Sequence, residues 1–346
     1  MSLKSKAIRT LSASFEAVLV DAGFAALVLL KRNTSRGTSY LFASAVVDDE
    51  GAVSSYFVVS ASKDTTTDYF LGETDLRYVY VYANDSAYYE MDAELIFSKD
   101  IKLKPFEGVV PDDVIPDRGF FAADHNVHYS PIKLPPFTHD VPIDGHWSMS
   151  DFKEFYSKYA DIYVFHECMT QIQGKELGDI PAQYVSAFCD KPFRGGSSYL
   201  GFFSSLKSAL PRRSKPRLEA IQWASPGEIT IRGSKALFDH VEAQVLKFEK
   251  GYSDAKPAYQ KLRDFMVANG WLEITANEYR KPSSGDENLL SSLIADLVKE
   301  LHVPGERSFS HILDGNQIVE AKIFMAVFRR LETLIGYLRA GRVTIG

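Results

Sequence analysis

The sequence predicts an α+β protein: an N-terminal antiparallel β barrel or sandwich, then a mostly helical C-terminal domain containing a β-hairpin. Three observations carry this. Short β-rich runs separated by turn residues fill residues 14–97. Seven of the 15 prolines fall between 104 and 145. Beyond 150, apolar residues recur at helical spacing, the period that lines one helix face. The expected organisation is a β domain over 1–103, a proline-rich ordered connector over 104–149 and an α+β domain over 150–346.

In the first domain, two apolar runs flank Ala22-Gly23, where glycine accepts a turn conformation at little cost. Two further β-rich runs flank Asp48-Asp49-Glu50-Gly51 and read as a hairpin. Tyr78, Tyr80 and Tyr82 alternate with Val79 and Val81, the period-2 pattern of a strand. Residues 87–97 follow as one more strand. The connector is too apolar to be a free linker, because Phe106, Phe120, Phe121, Tyr129 and Phe137 need cover. It is therefore expected to be ordered despite its prolines.

Ser150 is the expected N-cap of a helix over 151–171, with Phe152, Phe155, Tyr159, Ile162 and His166 on one face. A second helix should begin near Ser197-Ser198 and stop at Pro211. Strands over 218–223 and 228–232 flank a Ser-Pro-Gly turn. A helix from Ser234 carries Leu237, Val241, Val245 and Phe248, and a separate helix is expected over 256–268. Residues 281–286 read as a loop. Leu290, Leu293, Ile294, Leu297 and Leu301 form the stripe of the next helix. The last helix runs from about Asn316 to Ala340 and ends on Gly341.

Composition limits the function classes. The chain has 346 residues, 45% hydrophobic and 24% charged, an ordinary globular balance that excludes wholesale disorder. A net charge of −6 argues against a nucleic-acid partner as the organising principle. Cys168 and Cys189 are too few for an extracellular disulfide framework. Lys4, Lys6 and Arg9 are followed by Glu16 and Asp21, so no signal-peptide core forms. With no apolar run long enough to span a membrane, the expected location is cytoplasmic, without a membrane partner.

No complete catalytic signature occurs, so no catalytic residue, metal site or cofactor is assigned. His125, His128, His139, His146 and His166 lie close in sequence among Asp124, Asp140, Asp144 and Glu167. Imidazole and carboxylate suit a divalent metal, but position 170 is Thr where a zincin helix needs its second His. Ser204 and Lys207 match S-x-x-K without its companion strings. The best small-ligand candidate is Arg194, Gly195, Gly196, Ser197 and Ser198, where free N–H groups at a helix start beside an arginine suit an anion. The basic run 211–217 follows it. In the last helix, Ile323–Phe328 offers no polar relief. That run needs cover from its own chain or from a second protein.

The stretch PFRGGSSYLGFFSSLKSALPRRSKPRLEAIQWASPGEITIRG, residues 192–233, resembles a group of bacterial proteins of unassigned activity. These share a Gly-Gly-Ser helix start, a basic loop and a strand–Ser-Pro-Gly–strand unit. LFASAVVDDEGAVSSYFVVS is similar to β-rich modules in other such proteins. The resemblance brings no activity or functional residue with it. It implies a bacterial accessory protein, with phage defence as one setting. The leading expectation is thus a non-enzymatic interaction or regulatory protein that binds a protein partner or itself through the last helix. The alternatives are a metal-dependent hydrolase or nuclease using the histidine-rich connector, and a sensor of a nucleotide or other anion.

Overall fold

The computed structural model describes residues 7, 9–35, 37–84, 86–110, 112–125, 129–173, 175, 177–189, 200–274, 282–303, 312–313 and 315–346. It is α+β, and the chain divides into two units, 1–133 and 134–346. The division falls inside the proline-rich stretch. The part before 133 belongs to the β unit, and the part after it opens the helical one.

The first unit is a closed six-stranded antiparallel barrel in sequence order: β1 (Leu11–Asp21), β2 (Ala25–Thr34), β3 (Gly37–Val47), β4 (Val53–Ser60), β5 (Ala87–Asp92) and β6 (Ile101–Pro105). Pairing of Leu11 with Leu103 and Ala13 with Ile101 closes it. β1 serves both neighbours because register shifts between Phe15 and Asp21 bend it. Alternation sends one set of side chains, including Val28, Leu30, Leu41, Ala43, Tyr56, Val58, Met91 and Leu103, into a single core cluster fed by all six strands. The opposite set, including Leu29, Phe42, Phe57 and Val59, meets helix α1 (Lys63–Phe70) and residues of the proline-rich stretch. Both faces of these strands are therefore apolar.

The Tyr-Val alternation at Tyr78–Tyr82 is a π-helical turn and not the expected strand, closed by Ala83 N–H to the Tyr78 carbonyl at 3.0 Å. Asp75 decides this by accepting the Tyr78 N–H at 2.8 Å, which starts a helical turn. Tyr80 is buried, with its hydroxyl 2.7 Å from Ser44 Oγ. The proline-rich stretch lays Val110, Val114 and Ala122 of helix α2 (Ala122–His125) onto the outer barrel core. Tyr129 donates to Glu16 Oε1 at 2.6 Å.

The second unit starts with β7 (Phe137–Ile143), which pairs with β9 (Gly227–Gly233); β9 pairs in turn with β8 (Arg217–Gln222). The sequence places these residues in the connector because seven prolines crowd 104–145, Pro142 among them. The strand tolerates that proline, whose carbonyl accepts the Thr344 N–H. Helix α3 (Met149–Ile172) starts two residues earlier than expected. Ser148 is its N-cap, because the reciprocal bonds of Ser148 and Asp151 form a capping box. Helix α4 (Ala182–Cys189) has no counterpart in the sequence reading. Helix α5 (Leu200–Ala209) matches the segment ending at Pro211; its expected start at Ser197-Ser198 lies outside the described residues.

The two helices expected over 234–268 are one, α6 (Lys235–Ala268), which runs through Pro257. Burial of Ala255 and Tyr259 on both sides of the proline holds the helix together despite the lost N–H. Helix α7 (Ser284–Leu301) absorbs part of the expected 281–286 loop, capped by Ser283, whose Oγ accepts the Asp286 N–H. Helix α8 (Gln317–Arg339) is the expected last helix, with Asn316 as N-cap. Gly341 (φ 68°) and Arg342 close it through N–H bonds to the Leu338 and Tyr337 carbonyls. The chain end then pairs Val343 with Ile143 beside β7.

Helix α8 packs on α3, α6 and α7. Every residue from Ala321 to Phe328 is buried, and Phe328 stacks on Tyr259 at 4.2 Å. The apolar run, expected to need cover from its own chain or from a second protein, is covered by its own chain.

Candidate functional site

The sequence-predicted positions do not gather into one site. Arg194, Gly195, Gly196, Ser197 and Ser198 lie outside the described residues, as does His128. The other four histidines of that group, His125, His139, His146 and His166, take separate partners. His125 stacks on Phe120 at 3.7 Å, and His146 meets Trp223 edge-on. His139 pairs with Glu242 at 2.9 Å and lies on the Phe238 ring. His166 is buried against Gln244 at 2.8 Å. Among the described residues, no three His, Cys, Asp or Glu side chains group as metal ligands would.

Lys207 of the S-x-x-K string has a structural role. Its ammonium meets Asp161 at 2.5 Å, and the other carboxylate oxygen accepts from Arg330 Nε at 2.7 Å. The Arg330 guanidinium lies 3.6 Å over the Phe203 ring. A buried cation is tolerated only with such pairing.

The surface best placed for contact is the rim of the three-stranded sheet at β8. The tail covers one end of β7 on the other side. Tyr156 of α3 occupies the start of β8, donating to the Pro216 carbonyl at 2.9 Å and accepting from Leu218 N–H. Burial raises the pKa of the Tyr156 phenol above its ordinary value. From Glu219 to Gln222, β8 pairs with β9 and with no further strand among the described residues. Large apolar groups flank this edge in the open: Leu218 is 42% exposed and Trp223 62%. They stand at opposite ends of β8, Leu218 near its start and Trp223 just past its end.

The neighbouring charge is basic. Arg212–Ser214 forms a short 3-10 turn, followed by Lys215 and Arg217. Within the sheet, Glu219 already accepts from Arg232 Nε at 2.8 Å. The turn is held by Ser225 Oγ on the Asp144 carboxylate, a bond that lowers the Asp144 pKa below the ordinary range, with the Gly145 N–H adding to the effect. The sequence reading identified both strands and the basic run. It missed that they form one edge, since exposure of Trp223 depends on what packs over the turn.

No family model, no curated protein and no solved structure matches the chain. The fold defines a two-unit α+β chain, with a closed antiparallel barrel followed by a helical unit that carries a three-stranded sheet. Among the described residues, no helix is long and apolar enough to cross a membrane.

Proposed function

We propose that this chain is a non-enzymatic interaction protein whose helical unit receives an extended, acidic segment of a protein partner along β8. The observation that carries this reading is the strand edge at Glu219–Gln222, flanked by exposed Leu218 and Trp223 and by the basic run through Arg212, Arg213, Lys215 and Arg217. An added strand would satisfy the edge amides and carbonyls, and its side chains would meet the apolar flanks. The positive run favours a partner carrying Asp or Glu. This moves the expected partner surface from the last helix, which its own chain covers, to the sheet edge.

The test uses the full chain and two octapeptides, one alternating Glu with Val and one alternating Lys with Val. The acidic peptide should bind and perturb the amide resonances of Glu219–Gln222. Its affinity should fall at least fivefold on Trp223→Ser and weaken with added salt. Equal binding of the two peptides would overturn the reading. So would a doubled mass in light scattering that Trp223→Ser abolishes, since the edge would then receive a second copy.

A further inference from the structure

Helices α7 and α8 line an open-sided cavity of about 930 Å³, large enough for a small organic molecule. Ile294 and Val298 of α7 and Phe324 of α8, all buried, form an apolar part of its wall, and Glu287, Ser291 and His302 line it beside them. Gln317 and Glu320, from the start of α8, add two further polar side chains next to Phe324. Gln317 Oε1 is buried and accepts no hydrogen bond among the described residues. The Glu320 carboxyl has neither hydrogen bond nor ion pair among the described residues. Lys299, at the rim, turns instead to Glu300 at 3.8 Å and stays exposed.

An unsatisfied buried acceptor is costly, and a half-buried carboxylate without a partner adds to that cost. A ligand that donates hydrogen bonds and carries positive charge removes both penalties at once. A carboxylate or phosphate ligand adds to them.

We propose that this cavity binds a small organic cation, an apolar body bearing a protonated amine, with the ammonium on Glu320 and Gln317 and the body against Ile294, Val298 and Phe324. The proposal is independent of the β8 edge. Its ligand is of opposite charge to the one the Gly-Gly-Ser segment suggested.

The experiment compares three probes of similar shape on the full chain by calorimetry: phenethylammonium, 2-phenylethanol and 3-phenylpropionate. Burial pushes the Glu320 carboxyl up to about 7, so measurement at pH 8 keeps it mostly ionised. The ammonium should bind at least tenfold more tightly than the alcohol, and the carboxylate most weakly. Glu320→Gln keeps the shape and removes the charge. It should abolish the preference for the ammonium while leaving alcohol binding unchanged. This variant should fold, with a melting temperature equal to or above wild type, because it loses a desolvated charge. Ala295→Trp, at the exposed rim, should weaken all three probes together. Equal affinity for the three probes, unaltered ammonium binding in Glu320→Gln, or no binding of the ammonium at millimolar concentration would each overturn the proposal.

Discussion

Asp161 of α3 and Arg330 of α8 meet at 2.7 Å although 169 positions separate them in sequence, and Arg330 is only 3% exposed. The pair ties the first long helix of the second unit to the last. Arg330 also donates from Nη1 to the Ala326 carbonyl at 3.0 Å.

Removing one member of such a pair costs more than removing both, because the survivor is left charged and buried. Asp161→Asn should destabilise the helical unit by about 3–5 kcal/mol. Asp161→Leu combined with Arg330→Met should cost markedly less than the two single changes added together. Chemical denaturation of Asp161→Asn, of the single Asp161→Leu and Arg330→Met variants and of the double variant measures this. Additive effects would show that the carboxylate and guanidinium act independently.

His166 gives the helical unit an acid limit. Burial lowers its pKa from the ordinary 6.5 to about 4, with the nearby His240 adding to the effect and the Gln244 bond opposing it. Gln244 Nε2 donates to the Leu301 carbonyl at 2.7 Å, so its Oε1 is left to accept from His166 Nε2–H. The folded chain binds the proton less well than the unfolded one. This contribution to stability is therefore complete above pH 6.5 and is lost as the pH falls toward 4. The span corresponds to about 3 kcal/mol. His166→Gln should flatten the stability profile between those limits. An unchanged slope would mean that other groups control it.

Gly227 opens β9 where a Cβ would collide with backbone rather than side chains: the carbonyl oxygens of Gln222 and Ala224, the latter at 2.8 Å. Neither can rotate away. Gly227→Ala should cost about 3 kcal/mol and broaden the resonances of the β8 edge. Gly233→Ala meets the Phe238 ring and the Tyr163 hydroxyl at 2.8 Å, and side-chain adjustment should make it the milder change. Melting temperatures rank the two, and the reverse order would contradict this account.

Val327 and Phe328 are both fully buried by α8's own neighbours. Val327→Asp should therefore give unfolded or insoluble protein, as should Phe328→Asp, because each buries an unpaired charge. A soluble Val327→Asp protein with unaltered melting temperature would show that this side of α8 is not enclosed.

Much of the architecture follows from local pattern. The hairpins at Gly23 and Gly51 combine β-rich runs with glycines at φ 84° and 83°, so both turns could be placed from sequence. The Asn316 cap, the apolar face of α8 and its Gly341 stop are equally local signals. Local pattern misled where a capping side chain or a distant neighbour made the decision. Asp75 turned Tyr78–Tyr82 into a π-helical turn, and buried residues on both sides carried α6 through Pro257.

The sequence by itself determined the order of a β unit and a helical unit, and it marked α8 as a helix that must be enclosed. Tertiary structure alone decided what encloses it, which strand edge stays open and which carboxyl faces a cavity. Glu320 shows the difference. In sequence it is a first-turn carboxylate suited to the helix dipole. Only the packing of α7 beside α8 half-buries it and places it on the wall of a cavity. Burial of a side chain depends on segments far away in the chain, whereas capping and periodicity depend on residues within a turn or two.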